Sequence, residues 1–478
     1  MKKPRLLFSV LRLTVMAVFA LAVSAVNAQY VRTSYFMDGA QYRLQLNPAL
    51  APTRGYVHLP GVGHVQASMH SNSMGFDDVI EMIDNKAEAS YFTGEKFYSG
   101  LKEMNNVYLN AGTDLLAVGW WQGSGFWSVN VGVKVDGSAA VPLEAFTFMR
   151  EMKRVQPADF SDYTRHIGNE ELNINAYTEI GVGYSRQLND WLTVGGRVKG
   201  LVGLGNMNLK VHDAVVHTTV EGLDPEFDWY NPDIEQLLNS TGTAMFDVDA
   251  DLECSFEGLD LISNEKGYID DMNYKFKGAA GVGAAFDLGV DLKLSEAFSL
   301  SAAINDVGFI HWAKGCSRYA HSNTADMRFD TSDPEGMAYF AEVTRSGKVL
   351  NLDMLRLELD ESVSKSRSTS LASTLAVGGE YRLMDNKLSL GVLYTNRFSK
   401  PKNESEITLS ANLHPSSQVD LSVSYSPVLC NGKAFGVAVK VGPLFIGSDY
   451  VFMGKNNKCC NAMAGISIPL GKKPSLED

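Results

Sequence analysis

The sequence predicts an all-β protein: a transmembrane antiparallel barrel of about fourteen strands, with long extracellular loops containing short helices. Three observations predict it. The chain opens with a secretion signal; it then runs through two-faced segments of roughly 8–20 residues; and the gaps between those segments alternate short and long. A chain stitched back and forth across a membrane makes tight turns on one side and loops on the other, whereas a soluble sheet has no reason to keep that alternation.

Lys2, Lys3 and Arg5 precede an apolar run at 13–23, and Val26-Asn27-Ala28 ends it with small residues. The pattern predicts a signal peptide over 1–28, with Gln29 leading the mature chain. Arg12 limits the apolar run to about eleven residues, where a spanning helix needs ~20. Removing residues 1–28, which carry four positive charges and no negative one, takes the formal charge from −13 to −17. So acidic a chain argues against nucleic acid as a partner. The 43 glycines and 19 tyrosines suit short strands joined by many turns. No linker divides the mature chain, and no propeller or solenoid repeat runs through it.

The segment Trp127-Ser128-Val129-Asn130-Val131-Gly132-Val133-Lys134-Val135-Asp136 alternates without fault. A period of two puts Trp and four Val on one face and the polar set on the other. The same pattern recurs at Val65-Ala67-Met69, at Ile174 to Tyr184, at Phe286 to Leu294, and in five later copies that end with Ala464-Ile466-Ile468. Short gaps lie at 122–125, 188–190, 295–297, 384–386, 414–417 and 442–443. Longer ones lie at about 72–106, 137–171, 205–273, 311–368, 399–403, 427–433 and 454–460. Interleaved, they join fourteen strands, an even number that puts both termini on the short-turn, periplasmic side. Residues 206–221 read as an extension of the fifth strand beyond the membrane.

Trp120, Trp121, Trp127 and Trp191 sit beside short turns and Trp312 ends a strand at a long loop, so these five are expected to form an interfacial aromatic belt. Helical spacing at Phe76-Val79-Ile80-Ile83, at Phe97-Leu101-Met104, at Leu143-Phe146-Met149 and at Ile234-Leu237-Leu238 predicts short helices in the outer loops. They either offer an apolar groove or pack on one another as a shield.

Glu179, Arg197 and Lys199 fall on lumen-facing positions of neighbouring strands. Counting across the 188–190 turn brings Glu179 near Lys199, and the three are expected to pair inside the lumen. Asp247, Asp249, Asp251 and Glu253 alternate with apolar residues. An EF-hand would need Gly and Glu where Leu252 and Gly258 stand, so they read as an acidic strand face. His64 and His70 are roughly 20 Å apart along a strand and share no metal. No metal site, cofactor motif or catalytic constellation stands out, and the chain is not expected to be an enzyme. The five cysteines, Cys254, Cys316, Cys430, Cys459 and Cys460, all fall in outer loops. Cys430 is placed to bridge Cys459 or Cys460; unpaired thiols are the alternative.

Four strings carry a resemblance: LNPAL at 46–50, QLNDWLTVGGRVKG at 187–200, INDVGFIHW at 304–312 and AGISIPLGK at 464–472. With them the chain resembles outer-membrane barrels of the long-chain fatty-acid transporter type, in a branch also similar to the barrel subunit of a bacterial surface-secretion system. The resemblance implies a fourteen-stranded barrel in a Gram-negative outer membrane, with its N-terminal segment folded inward as a plug. The plug motif maps onto Asn47, Pro48 and Ala49. Pro48, Pro52 and Pro60 also discourage strand pairing there. The expected organisation is therefore a signal at 1–28, a plug at 29–60, the barrel at 61–470 and a periplasmic tail at 471–478. The implied function is passive uptake of a hydrophobic small molecule, with outer-membrane lipid as the surrounding partner. The alternative is a docking barrel for secreted or surface-anchored proteins, or a structural barrel. No ligand-binding residue is carried over.

Overall fold

The computed structural model describes residues 31–472, apart from 85–90, 93, 153–160, 225, 228–232, 346–351, 417, 429–433 and 452–455. The signal region, most of the expected tail and Cys430 lie outside the described residues. Fourteen strands follow in chain order: β1 in two pieces (Arg54–His58 and Val65–Ser71), β2 (Met104–Gln122), β3 (Gly125–Pro142), β4 (Glu170–Gln187), β5 (Leu192–Thr218), β6 (Gly281–Lys293), β7 (Phe298–Trp312), β8 (Ser373–Leu383), β9 (Leu388–Phe398), β10 (Glu404–Ser416), β11 (Val419–Ser426), β12 (Ala434–Val441), β13 (Leu444–Ser448) and β14 (Cys459–Lys472). Each pairs antiparallel with the next. β14 returns to β1, with Val57 opposite Ile468 and Val65 opposite Ala464, so the sheet closes and no edge is left.

Burial along these strands is the inverse of a water-soluble sheet. On β9, Leu390, Val392 and Tyr394 are exposed while Ser389, Gly391 and Thr395 are buried. On β11, Leu421 and Val423 face out while Asp420, Ser422 and Ser424 face in. Val198 is 70% exposed between the buried Arg197 and Lys199. An apolar outside around a polar lumen is what lipid requires, because a closed barrel satisfies every backbone group without water. Among the described residues no helix is long and apolar enough to cross a membrane; the strands do so instead.

The barrel starts earlier than expected. Arg54–His58 pairs with β14 and with β2, so residues 54–60 belong to the wall and not to the N-terminal segment. Pro52 lies just before this piece and Pro60 falls in the break between the two pieces, where no ladder N–H is needed. β14 runs on to Lys472, two residues past the expected boundary.

Two of the five tryptophans depart from the expected belt, for one reason. An extra residue in a strand flips every side chain beyond it to the opposite face. β2 slips register between Asp114 and Leu116, leaving Leu115 and Leu116 both exposed, and Trp121 turns inward. Its Nε1 donates to the Pro52 carbonyl at 3.1 Å. β6–β7 pairing slips between Phe286 and Leu288, with Asp306 at φ 57°, so Trp312 is 0% exposed. Its indole donates to Thr369 Oγ1 at 2.8 Å. Trp120 and Trp191 face outward, and Trp127 packs on the exposed Tyr184.

Beyond the long-loop end, β5 continues to Thr218 and pairs with a strand at Thr243–Phe256, which pairs in turn with Ser317–Ser322. Helices occur at Phe76–Asp84, Leu143–Met152 and Ile234–Asn239, where the apolar spacing places them, whereas the helix expected over Phe97-Leu101-Met104 is one turn at Glu95–Tyr98, with Leu101 in a loop and Met104 opening β2. A further helix at Pro334–Arg345 has no counterpart in the sequence reading. Val79, Phe97, Phe146 and Met149 bury one another in one cluster, and Leu237 joins Phe340 and Phe246 in another. The helices thus pack as a shield of filled apolar cores.

Candidate functional site

The site is the lumen. Its middle is crossed by a layer of buried charge. Lys134 of β3, Glu179 of β4, Arg197 and Lys199 of β5, Asp287 of β6 and Asp306 of β7 meet there, three cations against three carboxylates. Glu179 is 1% exposed and Asp287 0%. Lys134 Nζ lies 2.8 Å from Glu179 Oε2, and Arg197 spans Glu179 Oε1 at 3.0 Å and Asp287 Oδ2 at 3.2 Å. Lys199 Nζ reaches Asp306 Oδ1 at 2.6 Å, Asp287 Oδ1 at 2.8 Å and Glu179 Oε2 at 3.6 Å. Asn130 donates to Glu179 Oε1 at 2.9 Å and accepts from Arg197 at 2.7 Å. Pairing on all sides offsets the cost of taking these charges out of water.

Residues 31–53 lie inside the barrel against this layer. Two 3-10 turns, Arg32–Ser34 and Gln41–Gln45, shape the segment, and nearly all of its residues up to Leu50 are buried. Its polar atoms reach many strands. Thr33 N donates to Asp449 at 2.8 Å and Gly39 N to Asp420 at 2.9 Å. Tyr35 meets Ser301 at 2.9 Å, and Gln41 donates to Ser467 at 2.8 Å. Arg197 donates to Gln45 Oε1 at 2.6 Å, which ties the segment to the charge layer. Asn47 Nδ2 donates to the Val290 carbonyl at 3.2 Å, and its Oδ1 accepts from Ala49 N at 2.9 Å, closing an Asx turn over Pro48. Asn305 donates to the Leu46 carbonyl at 2.7 Å and Ser185 to that of Ala49 at 3.3 Å.

Two cavities flank this assembly. One of about 560 Å³ opens toward the long-loop end; Asp136, Asn173, Asn175, Asn206 and Asn208 are among its lining. The other, about 300 Å³, is lined by Asp38, Arg43, Pro52, Ser124, Gln187, Thr193 and Arg382 near the short turns. The order along each strand fixes their relation. On β4, Asn175 lines the first cavity, Glu179 lies in the charge layer and Gln187 lines the second; on β5 the same order runs Asn206, Lys199, Thr193.

Glu179, Arg197 and Lys199 thus stand together, and the structure adds Lys134, Asp287, Asp306, Asn130 and Gln45. Alternation already set Lys134 and Asp287 on polar faces; the bulge at Asp306 left no such trace. His64 and His58 both meet Asp114 Oδ2, at 3.1 and 3.2 Å, while His70 pairs with Glu404. Among the described residues no group of His, Cys, Asp and Glu is arranged to hold a metal. Cys459 is disulfide-bonded, whereas Cys254, Cys316 and Cys460 are free thiols.

Residues 48–449 match a family model described as a family of unknown function (DUF5723). No curated protein matches the chain. Among solved structures, the P. putida toluene transporter TodX is similar at a TM-score of 0.37 and 10% identity, over 90% of this chain and 94% of that one. A Pseudomonas aeruginosa FadL homologue gives 0.29 at 9% identity over 93% and 97% of the two chains. The translocator domain of the autotransporter NalP from Neisseria meningitidis gives 0.30 at 7% identity over 97% and 99%. Likenesses this distant carry no argument, and the barrel rests on its own strand pairing.

Proposed function

The chain belongs to that family of unknown function, and from its geometry we propose an outer-membrane barrel for passive uptake of a small molecule, with its N-terminal segment as the plug. The observation that carries this reading is the stacking of two cavities with the segment and the charge layer between them. A fourteen-stranded wall is wider than the eight strands whose side chains fill their own interior. Residues 31–53 pack within the interior through hydrogen bonds and small apolar clusters, which supports their reading as a plug. Such a stretch can shift without unzipping the wall.

In this reading the long loops face the outside and both chain ends the periplasm. A ligand enters at the loop end, rests in the larger cavity and leaves past Asn47-Pro48-Ala49 when the segment shifts. The movement in this reading is passive, driven by the ligand's own concentration gradient. A hydrophobic cargo, which the resemblance implies, would pass between the loops, whose helices keep their apolar faces packed on one another.

The test is conductance in planar lipid bilayers. The full mature chain is expected to be nearly closed, and a chain lacking residues 29–53 to show stable, several-fold larger steps. Equal conductance of the two would overturn the plug.

A further inference from the structure

We propose that the outer rim of β6 and β7 is a docking site for a phosphorylated lipid of the outer leaflet, held by four cations above an apolar wall. The inference rests on the orientation proposed above, with the long loops outside, and not on transport.

The strands fix the height of the site. Trp191 and Leu294 are exposed at the short-turn end of β5 and β6. A crossing strand needs roughly 9–11 residues, so a count along β6 from Leu294 reaches the opposite boundary close to Val282. Val282 and, on the neighbouring strand, Phe309 are exposed there.

Four cations lie just beyond. Lys275 and Lys277 precede β6; Lys314 and Arg318 follow β7. Backbone pairing brings the two stretches together, since Gly281 stands opposite Trp312 and Ala313 N donates to the Ala280 carbonyl at 2.9 Å. The Glu257-Gly258 turn touches both. Lys275 N donates to the Gly258 carbonyl at 3.0 Å, and the Cys316 thiol donates to Glu257 Oε2 at 2.8 Å. Arg318 stands opposite Cys254. Glu253, one residue earlier, lines the lumen cavity, so alternation turns Cys254 and Arg318 to the outward face.

All four cations are exposed, and among the described residues none forms an ion pair with a carboxylate. Arg318 donates instead to the Gly315 and Ser317 carbonyls, at 2.8 and 3.0 Å. Two carboxylates share the corner, Glu257 and Asp260, so four positive charges face two negative ones in a chain that is acidic as a whole. A cationic field of this kind draws an anion. The apolar half of the site says which anion. Phe276 is 62% exposed between the two lysines, and Tyr274 is exposed beside it. Aromatic rings settle at the level of the head groups, where lysines meet lipid phosphates. A soluble anion would leave Phe276, Phe309 and Val282 in water, whereas a lipid uses the cations and the apolar wall together.

The experiment is a titration of the delipidated full mature protein in detergent, read by native mass spectrometry. The probes are diphosphoryl lipid A and the same lipid with both phosphates removed, with inorganic phosphate as competitor. Saturable binding of the diphosphoryl lipid is expected. It should weaken roughly thirtyfold in Lys275→Gln/Lys277→Gln, about fivefold for each cation removed, and similarly in Lys314→Gln/Arg318→Gln. Should the second variant miss the heat-modifiable folded form, the first, which changes only exposed lysines, is read alone. Wild-type affinity in the lysine variant, equal affinity for the dephosphorylated lipid, or displacement by millimolar inorganic phosphate would each overturn the site. An epitope placed in the 264–267 turn should be reached by antibody on intact cells. Access only after permeabilisation would overturn the outer-leaflet placement, whereas closed channels from the chain lacking residues 29–53 would overturn uptake alone.

Discussion

Gly195 of β5 and Gly289 of β6 stand directly opposite each other in the ladder, and both face the Asn47-Pro48 turn. A Cβ on Gly195 would lie 2.3 Å from the Pro48 carbonyl group, and one on Gly289 2.0 Å from Asn47 Oδ1. The wall is stripped of side chains where the turn presses against it. That close approach lets Asn47 reach the Val290 carbonyl of the strand itself.

Gly195→Ala should therefore loosen the segment and leave the wall intact. The new methyl meets backbone, which cannot swing aside, so overpacking is expected to cost about 1–3 kcal/mol. Faster proteolysis within residues 31–53 and higher bilayer conductance, with unchanged heat-modifiable migration, are the expected results. Wild-type protection of the segment would refute the fit.

The charge layer makes a second prediction. Arg197→Met leaves the buried carboxylates of Glu179 and Asp287 short of a cation. Breaking one side of a buried network costs about 3–5 kcal/mol, whereas removing both partners costs less. The unfolding midpoint in urea should fall sharply for Arg197→Met and recover in part for Arg197→Met/Asp287→Asn. If the double variant were as unstable as the sum of the two single changes, Arg197 and Asp287 would not be coupled.

Much of this was legible because lipid imposes a period of two on every strand. Lys134, Glu179, Arg197, Lys199 and Asp287 all sit on the polar face that alternation gives them. What alternation cannot show is a slip. The extra residues near Leu115 and at Asp306 turned Trp121 and Trp312 inward, and Asp306 reached the charge layer only through its bulge. The helix at Pro334–Arg345 escaped for another reason. Its apolar residues Met337 and Phe340 take their meaning from a cluster with Phe246 and Leu237, residues distant in the chain. The register of Gly195 against Gly289 was equally invisible, since glycine leaves no periodic mark.

The cysteines give a third prediction. We take Cys430 as the partner of Cys459. Alkylation of the denatured, unreduced protein should then add three labels, and five after reduction, read by intact mass. Cys430→Ser should free Cys459 and leave four labels in both conditions. In the folded protein Cys254 and Cys316 should react slowly near neutral pH. Burial pushes the Cys254 thiol up to about 12, and burial with the Glu257 carboxylate pushes Cys316 up to about 11, so little thiolate forms at either. Rapid labelling of both in the folded state would contradict their packing.

A fourth prediction concerns the sheet beyond the membrane. Asp251 accepts from His212 at 3.0 Å and lies 2.5 Å from His321 Nδ1. Partial burial works to raise its carboxyl, but the two histidines outweigh it and hold it below its ordinary value. A carboxyl lowered in the folded state stabilises above its unfolded value of about 4 and loses that contribution as pH falls through the folded one. The group is partly exposed, so the effect should stay below about 1 kcal/mol and weaken in salt. Hydrogen exchange across Thr243–Phe256, corrected for intrinsic rate, should show less protection at pH 3 than at pH 5. Asp251→Asn should lower protection at pH 5 and flatten the difference. A difference of the same size in that variant would place the titrating group elsewhere in the sheet.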